Sequence, residues 1–296
     1  MNKKIKAYLN NYKFFLKVEK GLTQNSIDSY ISDLKQFFGD FEKDIAKFCS
    51  EDIINFLNEL REMELSGKSI ARKRSSLKNF FFFLTSEEIE HDVDFAFVPA
   101  VKIMKSLPGV LSKDEVAKLL ESIQPESPLQ YRNRAMFELM YAGGLRISEV
   151  INLSIHDIDA NHNLLRITGK GRKQRIVPTG SVAGAWLNKY LVMPRLSLKK
   201  NKNTDIVFLN RFGNPLSRMG IWKVLKKISL EAGIKKDIYP HILRHTFATH
   251  LLEGGANLLI VQALLGHSSI NTTQIYTNVE LSYLIEEHRL RHPMEK

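Results

Sequence analysis

Apolar residues recur every three or four positions through much of the first hundred residues. This spacing holds over residues 5 to 16, 26 to 38, 53 to 60 and 70 to 84, and it gives each segment one apolar helical face. Gly21, Gly39 and Gly67 lie in the polar joints between the segments, where glycine is typical of a helix end. The pattern therefore predicts a small four-helix bundle.

The pattern changes twice beyond residue 110. Ser112 and Glu115 form a predicted capping box at the start of a helical region that continues to Val150. Residues 164 to 178, LLRITGKGRKQRIVP, instead contain two β-prone runs around GKGRK, which indicates a hairpin. Residues 221 to 286 are helical in pattern again. The fold class is therefore predicted to be mainly α, with a small antiparallel sheet in the second half.

A change in composition marks the boundary between the two halves. Five acidic residues lie between Glu87 and Asp94, and Pro99 and Pro108 follow them. Such a segment is typical of an interdomain linker. We predict a helical domain over residues 1–95, a linker over 96–109 and a second domain over 110–296.

Composition narrows the class of protein. The purely apolar runs are far shorter than a membrane span, and the basic N-terminus lacks an apolar stretch that ends in a cleavage site. Cys49 is the single cysteine, so no internal disulfide can form, as suits a reducing compartment. We expect a cytoplasmic protein that is not inserted in a membrane.

Charge is distributed unevenly. The first hundred residues contain 15 basic and 16 acidic residues, so the formal charge of +11 comes from the second half. A basic field of this kind attracts polyanions, nucleic acid first among them. The neutral first half still contains a local basic run in its fourth predicted helix, and either phosphate binding or an ordinary solvated face explains it. The run consists of Lys68, Arg72, Lys73, Arg74 and Lys78.

Three clusters in the basic half contain side chains that suit phosphate chemistry. Arg146 follows a Gly-Gly-Leu turn, His241 and Arg244 are three residues apart, and His267 precedes Tyr276 in LLGHSSINTTQIYT. Arginines and histidines can surround the non-bridging oxygens of a phosphodiester and neutralise charge that grows in the transition state. A tyrosine can then attack phosphorus, because a cationic surrounding favours the phenolate.

This chemistry needs one more group and no cofactor. The leaving sugar oxygen requires a proton, and Lys170 at the tip of the predicted hairpin is suited to deliver it. A zinc site is the alternative for His241, His245 and His250, but the sequence lacks the glutamate of HExxH and an obvious third ligand. We therefore predict neither a metal nor a cofactor.

Four stretches together resemble one known family. They are AGGLRISEVINL, TGKGRKQRIVP, PHILRHTFATHLLEGGAN and VQALLGHSSINTTQIYTNV, and in order and spacing they are similar to the tyrosine recombinases of the phage integrase family. The similarity spans nearly the whole chain, and within that family the sequence is similar to the Xer chromosome-dimer resolvases. It implies an N-terminal SAM-like core-binding domain that clamps DNA and a C-terminal catalytic domain.

The resemblance implies a role for each matching residue. Arg146 and Arg244 would hold the scissile phosphate, Lys170 would be the general acid, and Tyr276 would form a 3′-phosphotyrosyl bond. His241 and His267 would bind the phosphate and move protons, while Glu149 would support the site. Arg172 and Lys173, together with the basic run of the fourth helix, are the predicted DNA contacts.

The resemblance also implies partners. They are double-stranded DNA with a specific recombination site, and a homo- or hetero-tetramer assembled on it near the nucleoid. A septal DNA translocase is a further suggested partner. A C-terminal helix with Leu281, Leu284, Ile285 and His288 on one face would dock on a neighbouring protomer or pack within its own domain. A mobile-element integrase and a non-catalytic accessory protein remain the alternative functions.

Overall fold

The computed structural model divides the chain into two compact units, Met1–Leu107 and Pro108–Lys296. It describes residues 2–39, 43–101, 109–169, 174–200, 202–239, 241–266 and 278–295, with side chains from 282 to 294 in the last range. We describe each unit by itself. Within the described residues, no helix is both long and apolar enough to cross a bilayer.

The first unit contains the four predicted helices. They are α1 (Lys3–Val18), α2 (Gln24–Phe38), α3 (Ser50–Glu62) and α4 (Gly67–Ser86). Aromatic rings fill the space between them: the ring centroid of Phe80 lies 5.2 Å from that of Tyr12 and 5.5 Å from that of Phe38. Edge-to-face packing of this kind buries large apolar areas in a small domain.

Glycine was interpreted correctly at one helix end and wrongly at another. Gly39 is the C-terminal cap of α2, as predicted. Gly67 instead is the first residue of α4, and the Ser66 side chain caps that helix by accepting a hydrogen bond from the backbone of Ser69. The serine cap decides the outcome because it satisfies a free amide that a glycine cannot.

The second unit is built from helices around a three-stranded antiparallel sheet, as predicted. Its helices are α5 (Lys113–Glu121), α6 (Pro128–Ala142), α7 (Ile147–Asn152), α8 (Gly180–Val192), α9 (Pro194–Lys199), α10 (Arg218–Glu231), α11 (Ile242–Glu253), α12 (Leu258–Leu265) and α13 (Asn278–Arg291). Its strands are β1 (Ile158–Asp159), β2 (Leu164–Thr168) and β3 (Gln174–Pro178). The strand order is β1-β2-β3. The Ser112–Glu115 capping box is confirmed at the start of α5.

The predicted hairpin sets the inward face of the sheet. In the β2–β3 pair Leu165 lies opposite Val177 and Ile167 lies opposite Arg175. All four side chains are buried, as the two-residue period of a strand requires when one face is covered. A single charged residue, Arg175, therefore points into an otherwise apolar face.

The C-terminal helix α13 packs on its own unit. Leu284 belongs to the core of the second unit, and the Nε2 atom of His288 lies 2.7 Å from the carbonyl oxygen of Ala142. In the single chain the helix therefore packs within its own domain, and its docking on a neighbouring protomer stays a prediction. Leu281 lies outside the residues whose side chains the structure describes.

Several buried histidines lie where α13 packs against the rest of the second unit. The His250 Nδ1 atom lies 2.8 Å from the Tyr141 hydroxyl, and the rings of His288 and His292 stack with centroids 4.9 Å apart. Burial lowers the pKa of His250, with Lys113 lowering it further against the opposing effect of Glu253. Burial, aided by His288 and His250, also lowers the pKa of His292 well below its ordinary value. Both imidazoles are therefore neutral in the folded protein at neutral pH.

We expect the second unit to lose stability as the pH falls. Because the folded pKa values of His250 and His292 are depressed, stability is full above about pH 6.5 and decreases below it, by up to about 1.4 kcal/mol per pH unit for each group. Urea unfolding followed by tryptophan fluorescence measures this, since both tryptophans, Trp186 and Trp222, lie in the second unit.

A matched pair of variants tests the assignment. His292→Phe removes a titrating group and keeps an aromatic ring, so it should flatten the pH dependence. Met219→Leu, which changes an exposed residue of α10 that does not titrate, should leave the dependence unchanged. A pH dependence that is the same in wild type and His292→Phe contradicts this account.

Candidate active site

A tight turn and a capping box position Arg146. Gly144 has a φ of 57°, and a Cβ atom there would lie 2.4 Å from the Phe247 ring, so this turn requires glycine on both conformational and steric grounds. Arg146 then caps α7, with its backbone amide donating to the Glu149 Oε2 atom at 2.8 Å. Its Nη1 atom also donates to Glu149 Oε1 at 2.8 Å. The cap thus orients the guanidinium as well as the helix.

Arg175 reaches the same carboxylate from β3. Its two terminal nitrogens donate to the two oxygens of Glu149, each at 2.9 Å, and its Nε donates to the carbonyl oxygen of Leu264 at 2.8 Å. The side chain is only 8% exposed. A bidentate pair of this geometry is among the strongest that two side chains form.

Arg244 extends from the first turn of α11 toward the same place. Its Nη1 donates to the carbonyl oxygen of Gly144 at 2.7 Å, and its Nη2 donates to that of Leu265 at 2.6 Å. The Nη2 atom of Arg146 lies 3.4 Å from the neighbouring carbonyl oxygen, that of Gly266. Arg146 and Arg244 therefore meet at the C-terminal end of α12.

The charges in this cluster influence one another. Burial, followed by the repulsion of Arg146, lowers the pKa of Arg244 to about 10, which still leaves it protonated at neutral pH. Burial raises the pKa of Glu149, but hydrogen bonds and charge from Arg175, with hydrogen bonds from Arg146, outweigh that effect and hold the pKa below its ordinary value. The cluster thus contains one carboxylate among three guanidinium groups.

His241 lies beside this cluster, at the N-cap position of α11. Desolvation lowers its pKa, and the positive charges of Arg244, Arg146 and Arg218 lower it further. A neutral imidazole next to arginines can accept a proton or donate a hydrogen bond at neutral pH.

The structure brings together four of the sequence-predicted site residues: Arg146, Glu149, His241 and Arg244. Lys170, Arg172, Lys173, His267 and Tyr276 lie outside the described residues. The described chain runs up to both segments that contain them, since β2 and β3 flank residues 170–173 and Gly266 immediately precedes His267.

The predicted DNA-contacting run on α4 needs one correction. Lys73 is 7% exposed, and its ammonium lies 3.0 Å from the carboxylate of Asp33. The Lys73 ammonium is therefore paired inside the first unit, so Lys73 is not available for the DNA contact that the sequence predicted. Arg72 also pairs with Asp33 but keeps 52% of its side chain exposed.

The rest of the run is more accessible. Lys68 and Lys78 are exposed. Arg74 donates to the carbonyl oxygens of Val98 and Pro99, at 2.7 and 2.9 Å. The available charge on α4 is therefore smaller than the sequence indicates.

Two residues of the site were missed from sequence. Arg218 opens α10 and contributes to the electrostatics of His241. Arg175 alternates with Val177 on a β-prone run, and this alternation places it on the inward face of the strand. A charged residue at an inward position requires a buried partner, which is the signal that could have identified it.

Metal binding has no support in the described part of the chain. Among those residues no group of three histidine, cysteine, aspartate or glutamate side chains is placed to hold a metal ion.

Models of two protein families match the chain. The model for the phage integrase family matches residues 109–282, and the model for the phage integrase N-terminal SAM-like domain matches residues 9–88. Together they cover most of both units.

Similar proteins have been named in several bacteria. "Tyrosine recombinase XerD" of Oceanobacillus iheyensis is 43% identical over 291 residues, which cover 96% of this chain and 98% of that protein. The protein of the same name from Listeria monocytogenes serotype 4b is 42% identical, with 99% of each chain covered.

Solved structures share the fold. A lambda integrase tetramer bound to a Holliday junction has a TM-score of 0.71 at 19% identity, covering 93% of this chain and 80% of that chain. XerH site-specific recombinase bound to palindromic difH substrate, in a post-cleavage complex, has a TM-score of 0.66 at 23% identity, covering 94% and 82%. The family models and the XerD relatives establish that the chain belongs to the phage integrase family and is a site-specific tyrosine recombinase that resembles the Xer enzymes.

Proposed function

We propose that Arg146 and Arg244 hold the scissile phosphate of DNA while Tyr276 attacks it. The observation that carries the proposal is the convergence of the two guanidinium groups on the adjacent carbonyls of Leu265 and Gly266. Two fixed cations at one place suit the charge that grows on a phosphate under attack, and in the sequence Gly266 immediately precedes His267.

The reaction balances without an external reductant, oxidant or energy source. The Tyr276 phenolate oxygen forms a bond to phosphorus, and the bond from phosphorus to the 5′ oxygen breaks. Lys170 gives its proton to that oxygen, which leaves a 3′-phosphotyrosyl link and a free 5′-hydroxyl. Attack by a 5′-hydroxyl of another strand reverses the step and rejoins the DNA.

His241 and His267 bind the phosphate and move protons in this scheme. The lowered pKa of His241 supports the proposal, because a neutral imidazole accepts the phenol proton at neutral pH. Glu149 takes no part in the chemistry. It holds Arg146 through two hydrogen bonds.

The DNA is held by basic residues of both units. Lys68, Arg72, Arg74 and Lys78 of the first unit and Arg172 and Lys173 of the hairpin segment contact phosphates. Phosphate contacts fix orientation and give salt-dependent affinity, so binding through these residues should weaken as salt rises.

The biological role is the resolution of chromosome or plasmid dimers in the cytoplasm, on nucleoid DNA. The identity to proteins named XerD over nearly the full chain supports this role over that of a mobile-element integrase. The protein acts as a tetramer on two recombination sites, alone or with a paralogue, and a septal DNA translocase activates it. The mass of the complex that this protein alone forms on two recombination sites, measured by native mass spectrometry, distinguishes a homotetramer from a mixed one without requiring activation.

Tyr276→Phe should abolish covalent attachment to DNA. The test uses a nicked suicide duplex whose site is selected from random sequences by repeated binding, followed by a denaturing gel. Wild type should form an adduct even in excess chelator, and Tyr283→Phe, which alters an exposed tyrosine on α13, should do the same. An adduct that persists in Tyr276→Phe would remove the proposed nucleophile.

A further inference from the structure

Three consecutive carbonyl groups at the end of α12 each accept a hydrogen bond from a different arginine. The oxygen of Leu264 accepts from Arg175, that of Leu265 from Arg244, and that of Gly266 from Arg146. The last carbonyls of a helix lack partners within the helix and carry the negative end of its dipole. All three guanidinium groups are therefore hydrogen-bonded at the C-terminal end of α12.

The three arginines differ in what remains available to a ligand. Arg175 is buried, with its three donor nitrogens bound to Glu149 and Leu264. Arg146 keeps 34% of its side chain exposed. Arg175 is therefore not placed to touch DNA, whereas Arg146 is.

Glu149 is shared between these two arginines. Its Oε1 accepts from the Nη1 atoms of Arg146 and Arg175, and its Oε2 accepts from the Arg146 backbone amide and Arg175 Nη2. Four donors leave the carboxylate no freedom to rotate. If Arg175 were absent, the same carboxylate could turn both oxygens toward the Arg146 guanidinium and neutralise it.

We propose that Arg175 is a positioning residue that keeps Glu149 from engaging both terminal nitrogens of Arg146, so that the rest of that guanidinium remains for the scissile phosphate. It also ties β3 to the end of α12, where the chain continues from Gly266 to His267. A Cβ atom at Gly266 would lie 3.0 Å from the Arg175 side chain, so the two are closely packed. The proposal rests on the proposed function and extends it to a residue that does not contact substrate.

A substrate that is neutral at the scissile position distinguishes a positioning role of Arg175 from a role in the stability of the fold alone. Arg175→Met in the full chain should cleave the suicide duplex about 10- to 100-fold more slowly than wild type, as expected when a charged group is misplaced by about 1 Å. A methylphosphonate at the scissile position is neutral and needs less help from Arg146. On that duplex the deficit of Arg175→Met should shrink in parallel with the deficit of Arg146→Ala.

Arg195→Met is the matched control. Arg195 is also buried in the second unit, and among the residues that the structure describes it donates only to the backbone oxygens of Thr204 and Ile206. Tryptophan fluorescence shows whether Arg195→Met is folded. The folded variant should cleave both duplexes at the wild-type rate. A deficit of Arg175→Met that is equal on the charged and neutral duplexes, or equal to that of Arg195→Met, overturns the proposal.

Two further measurements keep the test decisive. If Arg175→Met does not fold, Arg175→Lys replaces it: its ammonium is a single point of charge and cannot hold both Glu149 oxygens as the guanidinium fork does, so a smaller deficit with the same dependence on substrate charge is expected. A crystal structure should show both Glu149 oxygens on the Arg146 guanidinium in Arg175→Met, and Glu149 rotated toward Arg146 in Arg175→Lys; an unmoved Glu149 overturns the proposal. Absence of an adduct in wild type contradicts the proposed function instead, and the crystal structure still decides the role of Arg175.

Discussion

The Arg244→Lys variant is expected to cleave DNA about 100- to 1,000-fold more slowly than wild type, the range found when one preorganised transition-state donor is lost. Arg244 uses its two terminal nitrogens to span the carbonyl oxygens of Gly144 and Leu265, at 2.7 and 2.6 Å. A lysine keeps the charge but has a single nitrogen, so it cannot make both contacts and still face a phosphate.

Single-turnover cleavage of the suicide duplex measures this effect. Arg211→Lys, which changes an exposed arginine beside Phe212, should cleave at the wild-type rate. DNA affinity of Arg244→Lys should fall far less than its cleavage rate, because the charge is retained. A cleavage rate close to wild type would mean that a forked contact at this position is not needed.

The Glu149→Gln variant is expected to destabilise the second unit by about 3 to 5 kcal/mol, the usual cost of leaving a buried charge without its partner. Glu149 is the carboxylate that faces Arg146 and Arg175, and Arg175 is buried. An amide offers one acceptor oxygen where the carboxylate offers two, so the Arg175 charge is left without compensation.

The pH dependence of this loss has a definite sign. The folded pKa of Glu149 lies below its ordinary value of 4.5, so its contribution is full above that pH and is lost as the pH falls through the folded pKa. The urea midpoints of wild type and Glu149→Gln, read by tryptophan fluorescence, should differ at neutral pH and converge in acid. Glu121→Gln, at an exposed position of α5, should match wild type throughout. A constant difference at all pH values would contradict the assigned ion pair.

Local patterns predicted most of the fold. The helices of the first unit, the capping box at α5 and the β2–β3 hairpin all depend on residues close together in the sequence. Helix α8 was not predicted. It contains Gly180 and Gly184, which weaken a helical pattern. A Cβ atom at Gly184 would lie 2.0 Å from the Asn163 amide oxygen, so close packing with a distant loop explains a residue that local preference disfavours.

The sequence predicted which residues supply the chemistry of the candidate site, but not which distant residues hold them in place. Arg146, His241 and Arg244 are recognisable by residue type and motif. The role of Arg175 depends on Glu149, 26 residues earlier, and on Leu264, 89 residues later, and no local pattern reveals such pairs. Lys73 shows the same limit, since its partner Asp33 lies 40 residues away.

The most direct test of the account is mass spectrometry of the protein–DNA adduct formed on the suicide duplex in excess chelator. We expect one peptide, containing Tyr276, joined through its phenol oxygen to the 3′ phosphate of the cleaved strand, together with a free 5′-hydroxyl. Attachment through any other residue, attachment to a 5′ phosphate, or an adduct that forms only with a divalent metal would contradict it.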